Sequence, residues 1–413
     1  MKIVKLNSEQ FDQFASTHRY RNYFQSSQYA NLMIKFGYRA QFLGIINDDN
    51  KLIGATLLLY KEVFMGNKIA YAPRGILFNY EDEENTKELA EKLKKVLGKQ
   101  GFMLLRIDPC IPLTIRDWEG NIMNINNNGE TIIANLKKAG FDYKGKTTYF
   151  ETEKPRWEAL VLLQRDTEEI FSNLEKRTRN KIRRAENSGL EVVKDREKNI
   201  DKLYSFIDKK ERKPLAYYKT ICDTFGDDIE IYYAKVNTQT FLVNSRRNYE
   251  KEVEYNDTLA LKVQDISIDE KYRNEYLNKK MESDRLLTSY KNNLVNATEL
   301  LKNNPDGLII AGAMVLKYDN AAYIILEASK KAYDYLNPLY LIKWQLIKNY
   351  NDEGLKYINF NKIAGEFESK NKYNNLNESK LGFNTIVSEY IGEFDIILNN
   401  FNYNLYKKMN KDK

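Results

Sequence analysis

Apolar positions along the chain switch repeatedly between a period of two and a period near 3.6, the signature of alternating strands and helices. In residues 1–152, KIVKL reads as a short strand, SEQFDQFAS as a helix and QSSQYANLMIKFG as a second helix, capped by Ser26 or Ser27. AQFLGIIND and KLIGATLLLYKEV form a hairpin about DDNK. Residues 82–98 read as an amphipathic helix turning Leu89, Leu93 and Leu97 inward. FMLLRIDP is apolar nearly throughout, as a strand covered on both faces is. A helix over 130–139 and a strand about Phe141 close this half.

The second half repeats the alternation. The strand EALVLL precedes a long helix that starts at the Asp166–Glu169 capping signal and stops at Gly189. VVKD, helices over 199–210 and 216–225, and the strands IEIYYAKVN and TFLVN follow. From 245 to 304 the pattern changes. Tyr249, Val253, Asn256, Ala260 and Val263, then Leu287, Tyr290, Leu294, Ala297 and Leu301, mark narrow stripes at spacings of three and four on otherwise polar segments. They predict an antiparallel helical hairpin inserted into the second unit and closed by the turn NPDG. Afterwards the α/β order resumes with a hairpin about Asp319-Asn320, a helix over 338–353, the strand LKYINFN, a loop and two more strands. The expected division is 1–154, then 155–244 joined with 305–413, with 245–304 as the insertion.

Charge adds a candidate surface. On the helix before Gly189, Lys176, Arg177, Arg179, Lys181, Arg183 and Arg184 place six cations in nine residues. Like charges at i,i+4 repel by a few tenths of about 1 kcal/mol per pair, so such a face calls for an anionic partner or for acidic neighbours. The net charge of +7 over 413 residues suits nucleic acid, anionic lipid or phosphorylated ligands without choosing among them. Two cysteines, Cys110 and Cys222, exclude a disulfide scaffold or zinc ribbon. With no signal-peptide core and no long apolar run, a cytosolic protein is expected. His18 is the one histidine and sits in a polar context, which argues against histidine catalysis. No Walker A loop, dinucleotide GxGxxG, HExxH or EF-hand occurs, so no metal or cofactor is expected.

Three stretches carry a family resemblance. The basic helix has the pattern R-x-x-x-x-IRRA-x-x-x-G-L-x-V. The C-terminal stretch supplies Tyr357, Phe360, Gly365 and Phe367, then Lys380, Gly382 and Phe383, then EYIGEF at Glu389 to Phe394. The N-terminal half adds APRGILFNYED and LLRIDPCIP. In collinear order these resemble the FemABX peptidoglycan-bridge aminoacyltransferases, and the insertion stands where FemA-like members have their arm. Ser379 replaces an aromatic before the lysine, and Asn361 replaces the first loop glycine.

The resemblance implies an α/β fold of two GNAT-like (acyl-CoA N-acyltransferase) domains with mixed sheets, plus an antiparallel coiled-coil arm. It implies transfer of an amino acid from aminoacyl-tRNA, the co-substrate, to the stem-peptide amine of lipid II or a UDP-linked pentapeptide. A lipid-linked acceptor would bring the chain to the inner membrane surface. Lys380 matches the residue that stabilises the developing oxyanion, and Phe383 belongs to the same motif. Lys35 and Arg212 match phosphate-binding positions, with Tyr217 beside the latter. Asp108 would orient or deprotonate the amine, or cap the turn before Pro109; Arg74 would bind substrate or brace a loop. The R/Q-x-x-G-x-G/A loop of acetyl-CoA enzymes is absent, which favours aminoacyl-tRNA as donor and makes the basic helix and the arm tRNA candidates. The alternatives are a nonenzymatic RNA- or partner-binding protein on the same scaffold, and a transferase with another amine acceptor.

Overall fold

The computed structural model of the chain describes residues 1–64, 66–368 and 371–410. The first unit runs β1 (Lys2–Leu6), α1 (Ser8–Thr17), α2 (Ser27–Lys35), β2 (Arg39–Ile46), β3 (Leu52–Phe64), β4 (Asn67–Ala72), α3 (Glu83–Lys99) and β5 (Phe102–Ile107). A connecting stretch follows, with β6 (Pro112–Arg116), β7 (Ile122–Ile125), α4 (Gly129–Lys138), β8 (Asp142–Tyr143), β9 (Trp157–Leu162), α5 (Thr167–Asn173) and α6 (Lys176–Asn187). The second unit repeats the first: β10 (Leu190–Asp195), α7 (Asp201–Phe206), α8 (Leu215–Phe225), β11 (Ile229–Val236), β12 (Leu308–Tyr318), β13 (Ala321–Ser329), α11 (Pro338–Asp352) and β14 (Tyr357–Lys362). Between β11 and β12, where the first unit has its β2–β3 turn, stand α9 (Thr238–Gln264) and α10 (Glu270–Asn303). The chain ends with α12 (Asn374–Leu381), β15 (Ile386–Tyr390), β16 (Phe394–Ile397) and α13 (Asn400–Asn410).

The strands form two mixed sheets that trade members. The first is ordered β1-β2-β3-β4-β5-β16-β8 and the second β10-β11-β12-β13-β14-β9-β15-β6-β7. A boundary at 154/155 therefore divides neither sheet cleanly: β6 and β7 belong to the second sheet, and β16 completes the first. In both units a helix connects two parallel strands, β4 to β5 and β13 to β14. β4 and β5 stay paired from Lys68–Phe102 to Ala72–Ile107. β13 and β14 pair only from Ala321–Tyr357 to Tyr323–Asn359 and then part. One apolar core is shared by the two units, with Phe11, Tyr29 and Leu32 packed among Leu203, Tyr218, Phe225 and Ile231.

Several local expectations are corrected. TFLVN is the start of α9, not a strand: the Asn237 side chain accepts the Thr240 N–H at 3.0 Å and starts a helix that buries Phe241. The hairpin thus begins seven residues before 245. The helix expected from 166 to 189 breaks at Leu174-Glu175, where Leu174 is buried and the Glu175 N–H donates to Gly382 O at 2.9 Å. The helix expected over 199–210 shortens to Asp201–Phe206. In the insertion, Asn256 meets Ser283 and Asp284, while Lys262, further along α9, lies over the earlier Tyr276 of α10. The two helices therefore run antiparallel. No helix of the described residues is long and apolar enough to cross a membrane.

Candidate active site

Where β13 and β14 part, a cavity of about 310 Å³ opens between the two units. Alternation along the strands decides what reaches it. On β9, Trp157, Ala159 and Val161 face the core, while Glu158 and Leu160 face the cavity. On β14, Ile358 and Phe360 face the core, while Tyr357, Asn359 and Asn361 line the opening. Tyr23, Phe24, Tyr29 and Tyr217 contribute from the first unit and α8, and Tyr323 and Tyr390 from the second sheet. Burial holds the Tyr23, Tyr323 and Tyr390 hydroxyls well above the usual phenol range, so they act as neutral donors and acceptors.

Arg74 crosses the site. Its backbone adopts φ 54°, its N–H donates to Asp108 Oδ1 at 2.6 Å, and its guanidinium reaches Glu158 at 2.5 Å and Pro155 O at 2.7 Å. The guanidinium also lies 4.4 Å from the centre of the Tyr390 ring. Glu158 is completed by Asn359 at 2.8 Å and the Tyr390 hydroxyl at 3.1 Å. Arg74 therefore braces the loop after β4 and also lines the cavity. Asp108 lies behind Arg74 rather than in the cavity wall. It also accepts from the Tyr71 hydroxyl at 3.1 Å, and burial pushes its carboxyl up to about 6.

Lys380 sits in the last turn of α12, not on a loop as expected, and is buried to 5% exposure. Its ammonium donates to Lys362 O, at the end of β14, at 2.9 Å. Burial lowers it to about 8, against the pull of Glu327 on β13. Glu327 in turn lies 2.6 Å from the buried Lys343 on α11. None of Lys380, Lys343 and Glu327 lines the cavity; Lys380 is linked to it through Lys362, the neighbour in sequence of the lining residue Asn361. Phe383 does not line the cavity: it is buried, stacked against Tyr340 and edge-on to Phe360, and holds the end of α12 in place.

Lys35 and Arg212 lie outside the cavity wall, on either side of α8. Lys35 donates to Thr224 Oγ1 at 2.9 Å, and Arg212 lies 4.9 Å from the centre of the Tyr204 ring. Tyr217, on the same helix, lines the cavity and stacks on Phe36 at 4.6 Å. Of the six cations on α6, Lys181 is tied to Tyr340 at 2.8 Å and Glu378 at 3.2 Å, and Arg179 to the Ser172 carbonyl. Arg183 lies over the Phe171 ring. Lys176, Arg177 and Arg184 are exposed and make no ion pair among the described residues.

The FemAB family profile matches residues 6–411. The chain belongs to the FemAB family. The lipid II:glycine glycyltransferase of Staphylococcus epidermidis is 22% identical to it over 99% of this chain and 96% of that one. Aminoacyltransferase FemA of the same species is 24% identical across 100% of both chains. The crystal structure of FemX shares the fold, with a TM-score of 0.72 at 20% identity over 98% of this chain and 99% of that one.

Of the two departures of this FemAB chain from its family pattern, the one at Asn361 has a local explanation and nothing in the structure explains the one at Ser379. Asn361 has φ 68°, the left-handed conformation a glycine would supply and asparagine tolerates better than most residues. Ser379 turns its hydroxyl back onto Leu376 O at 2.8 Å. Sequence reasoning missed Glu158, Asn359 and Lys154. Glu158 had a signal, a carboxylate flanked by Trp157 and Ala159 in a strand otherwise apolar. Lys154 had none, because one lysine before a proline in a lysine-rich chain looks like any linker residue.

Proposed function

We propose that this FemAB-family chain is an aminoacyltransferase that carries an aminoacyl group from aminoacyl-tRNA to the stem-peptide amine of a peptidoglycan precursor, forming interpeptide bridges. The observation that carries the reading is the full-length match to relatives named as glycyl- and aminoacyltransferases. In this reaction a neutral amine attacks the ester carbonyl of the donor. Negative charge gathers on the carbonyl oxygen, and collapse releases the ribose hydroxyl and leaves an amide. Placement and a donor for the oxyanion meet these needs. Lys380 is the donor in this reading, and Asp108 acts through Arg74 on the shape of the amine's site. Lys35 and Arg212 flank α8 as phosphate ligands for the acceptor's carrier.

The repeated order of strands and helices supports reading the two units as GNAT-like domains that have exchanged strands, 1–154 with 155–244 and 305–413. The three-and-four spacing supports a coiled-coil arm at 245–304. The exposed cations of α6 are the tRNA-facing surface in this reading, and a lipid-linked acceptor places the enzyme at the membrane. The test supplies a charged total-tRNA pool with radiolabelled amino acids and either lipid II or the UDP-linked pentapeptide. Label reaching the acceptor, and lost with RNase or with Lys380→Ala, is the expected result. A folded protein that moves no label to either acceptor refutes the reading and turns attention to RNA binding alone.

A further inference from the structure

Among the described residues three cations line the cavity, Arg21, Arg74 and Lys154. Arg21 is paired with Asp319 at 2.6 Å and Arg74 with Glu158 at 2.5 Å. Lys154 makes no ion pair among the described residues. Its ammonium lies 4.0 Å from the centre of the Phe24 ring and 3.5 Å from the Tyr29 hydroxyl. The carboxylates nearby are engaged elsewhere: Glu158 by Arg74, Asn359 and Tyr390; Asp108 by Arg74 N–H and Tyr71; Glu153 by Arg106 at 3.4 Å. A lysine in a largely aromatic chamber, in contact with the Phe24 and Tyr29 rings and near carboxylates that are committed to other partners, lacks the paired counter-ion that desolvated ammonium groups require.

We infer that Lys154 binds a carboxylate of the acceptor peptide inside this cavity. The inference rests on the proposed reading of the acceptor as a stem peptide. One free positive charge matches one carboxylate and leaves a dianionic phosphate half compensated. A space of about 310 Å³ walled by Tyr23, Phe24, Tyr29 and Tyr217 suits a short length of peptide. The cation–π contact with Phe24 holds the ammonium in place before the ligand arrives. Burial lowers Lys154 to about 8, as the missing partner requires, so carboxylate binding draws a proton onto it.

The probe is a synthetic stem pentapeptide, used with its carboxylates free and with all of them amidated. Binding to the full chain is followed by calorimetry, and transfer kinetics by label. Wild type should bind the free-acid peptide about 10- to 100-fold more tightly than the amide, a fold-change typical of one charge-assisted contact. At pH 8.5 the free acid should bind with net proton uptake. Lys154→Met should lose both the preference and the uptake, while the two peptides bind it equally. In transfer it should raise KM for the free-acid acceptor with kcat within a few-fold. Thermal unfolding confirms that the variant folds. Equal binding of the two peptides by wild type, or the same preference in Lys154→Met, overturns the inference. Binding behaves as stated but transfer is absent if only the transferase reading is wrong, so the two failures are distinguishable.

Discussion

Arg74 and Glu158 meet at 2.5 Å, and their contact ties the loop after β4 in the first sheet to β9 in the second. Both are buried, at 3% and 7% exposure. Breaking such a pair leaves a charge uncompensated in a low-dielectric site and costs about 3–5 kcal/mol. Glu158→Ala should therefore lower unfolding stability in urea by that amount. The paired replacement Arg74→Met with Glu158→Leu should cost less than the sum of the two single changes, because of the three buried charges only Asp108, 4.0 Å from the guanidinium, then loses its partner. If the double variant is as unstable as the sum of the two singles, the pair is not the joint described.

Lys380 gives a kinetic prediction. Lys380→Ala should lower kcat by about 10²–10³, the usual loss when one oxyanion donor is removed. Burial sets the ammonium near 8, so the donor discharges as pH rises through that value and kcat should fall above it. Lys154 titrates in the same range. At saturating acceptor the falling limb should persist in Lys154→Met and vanish in Lys380→Ala. A pH–rate profile for the three proteins checks this.

Much of this architecture was readable from residue pattern, and the reasons for the exceptions are physical. Most of the order of elements followed from apolar periodicity, though β4, β6, β7 and α12 did not, and the Ser26, Asp82 and Asp166 caps lie where short polar side chains precede helical runs. TFLVN failed because one cap bond from Asn237 and the burial of Phe241 outweigh the strand preference of Thr240 and Val243. The break at Leu174 depends on Gly382, more than 200 residues away, and nothing local encodes it. The cavity was hidden for the same reason. Arg74, Lys154, Glu158 and Tyr390 come together only through pairing between distant strands.

Asp108 makes stability depend on pH in a defined direction. Burial raises its folded value to about 6 from an ordinary 3.8, so the folded state holds a proton that the unfolded chain releases earlier. The contribution is fully present below about 3.8 and is lost as pH rises through 6. Asp108→Asn should flatten the stability profile between these values, measured as urea midpoints at a series of pH values. An unchanged slope would show that Asp108 does not control this window.

The α6 surface is tested by salt. Lys176→Glu, Arg177→Glu and Arg184→Glu should each weaken tRNA binding and reduce the slope of log K against log [salt] by about one. Lys181→Ala should leave that slope alone and lower stability instead, since Lys181 is engaged with Tyr340 and Glu378. Filter binding from low to moderate salt separates the two behaviours.

The exchange of strands also sets the order in which the molecule can be finished. Residues 394–397 supply the strand that lies against β5, so that edge of the first sheet stays bare until those residues, almost three hundred positions further on, have left the ribosome. A nascent first unit therefore waits on β16, with an open apolar edge that invites pairing with other chains. Truncation just before β16 should yield an insoluble product even though every residue of the cavity is present.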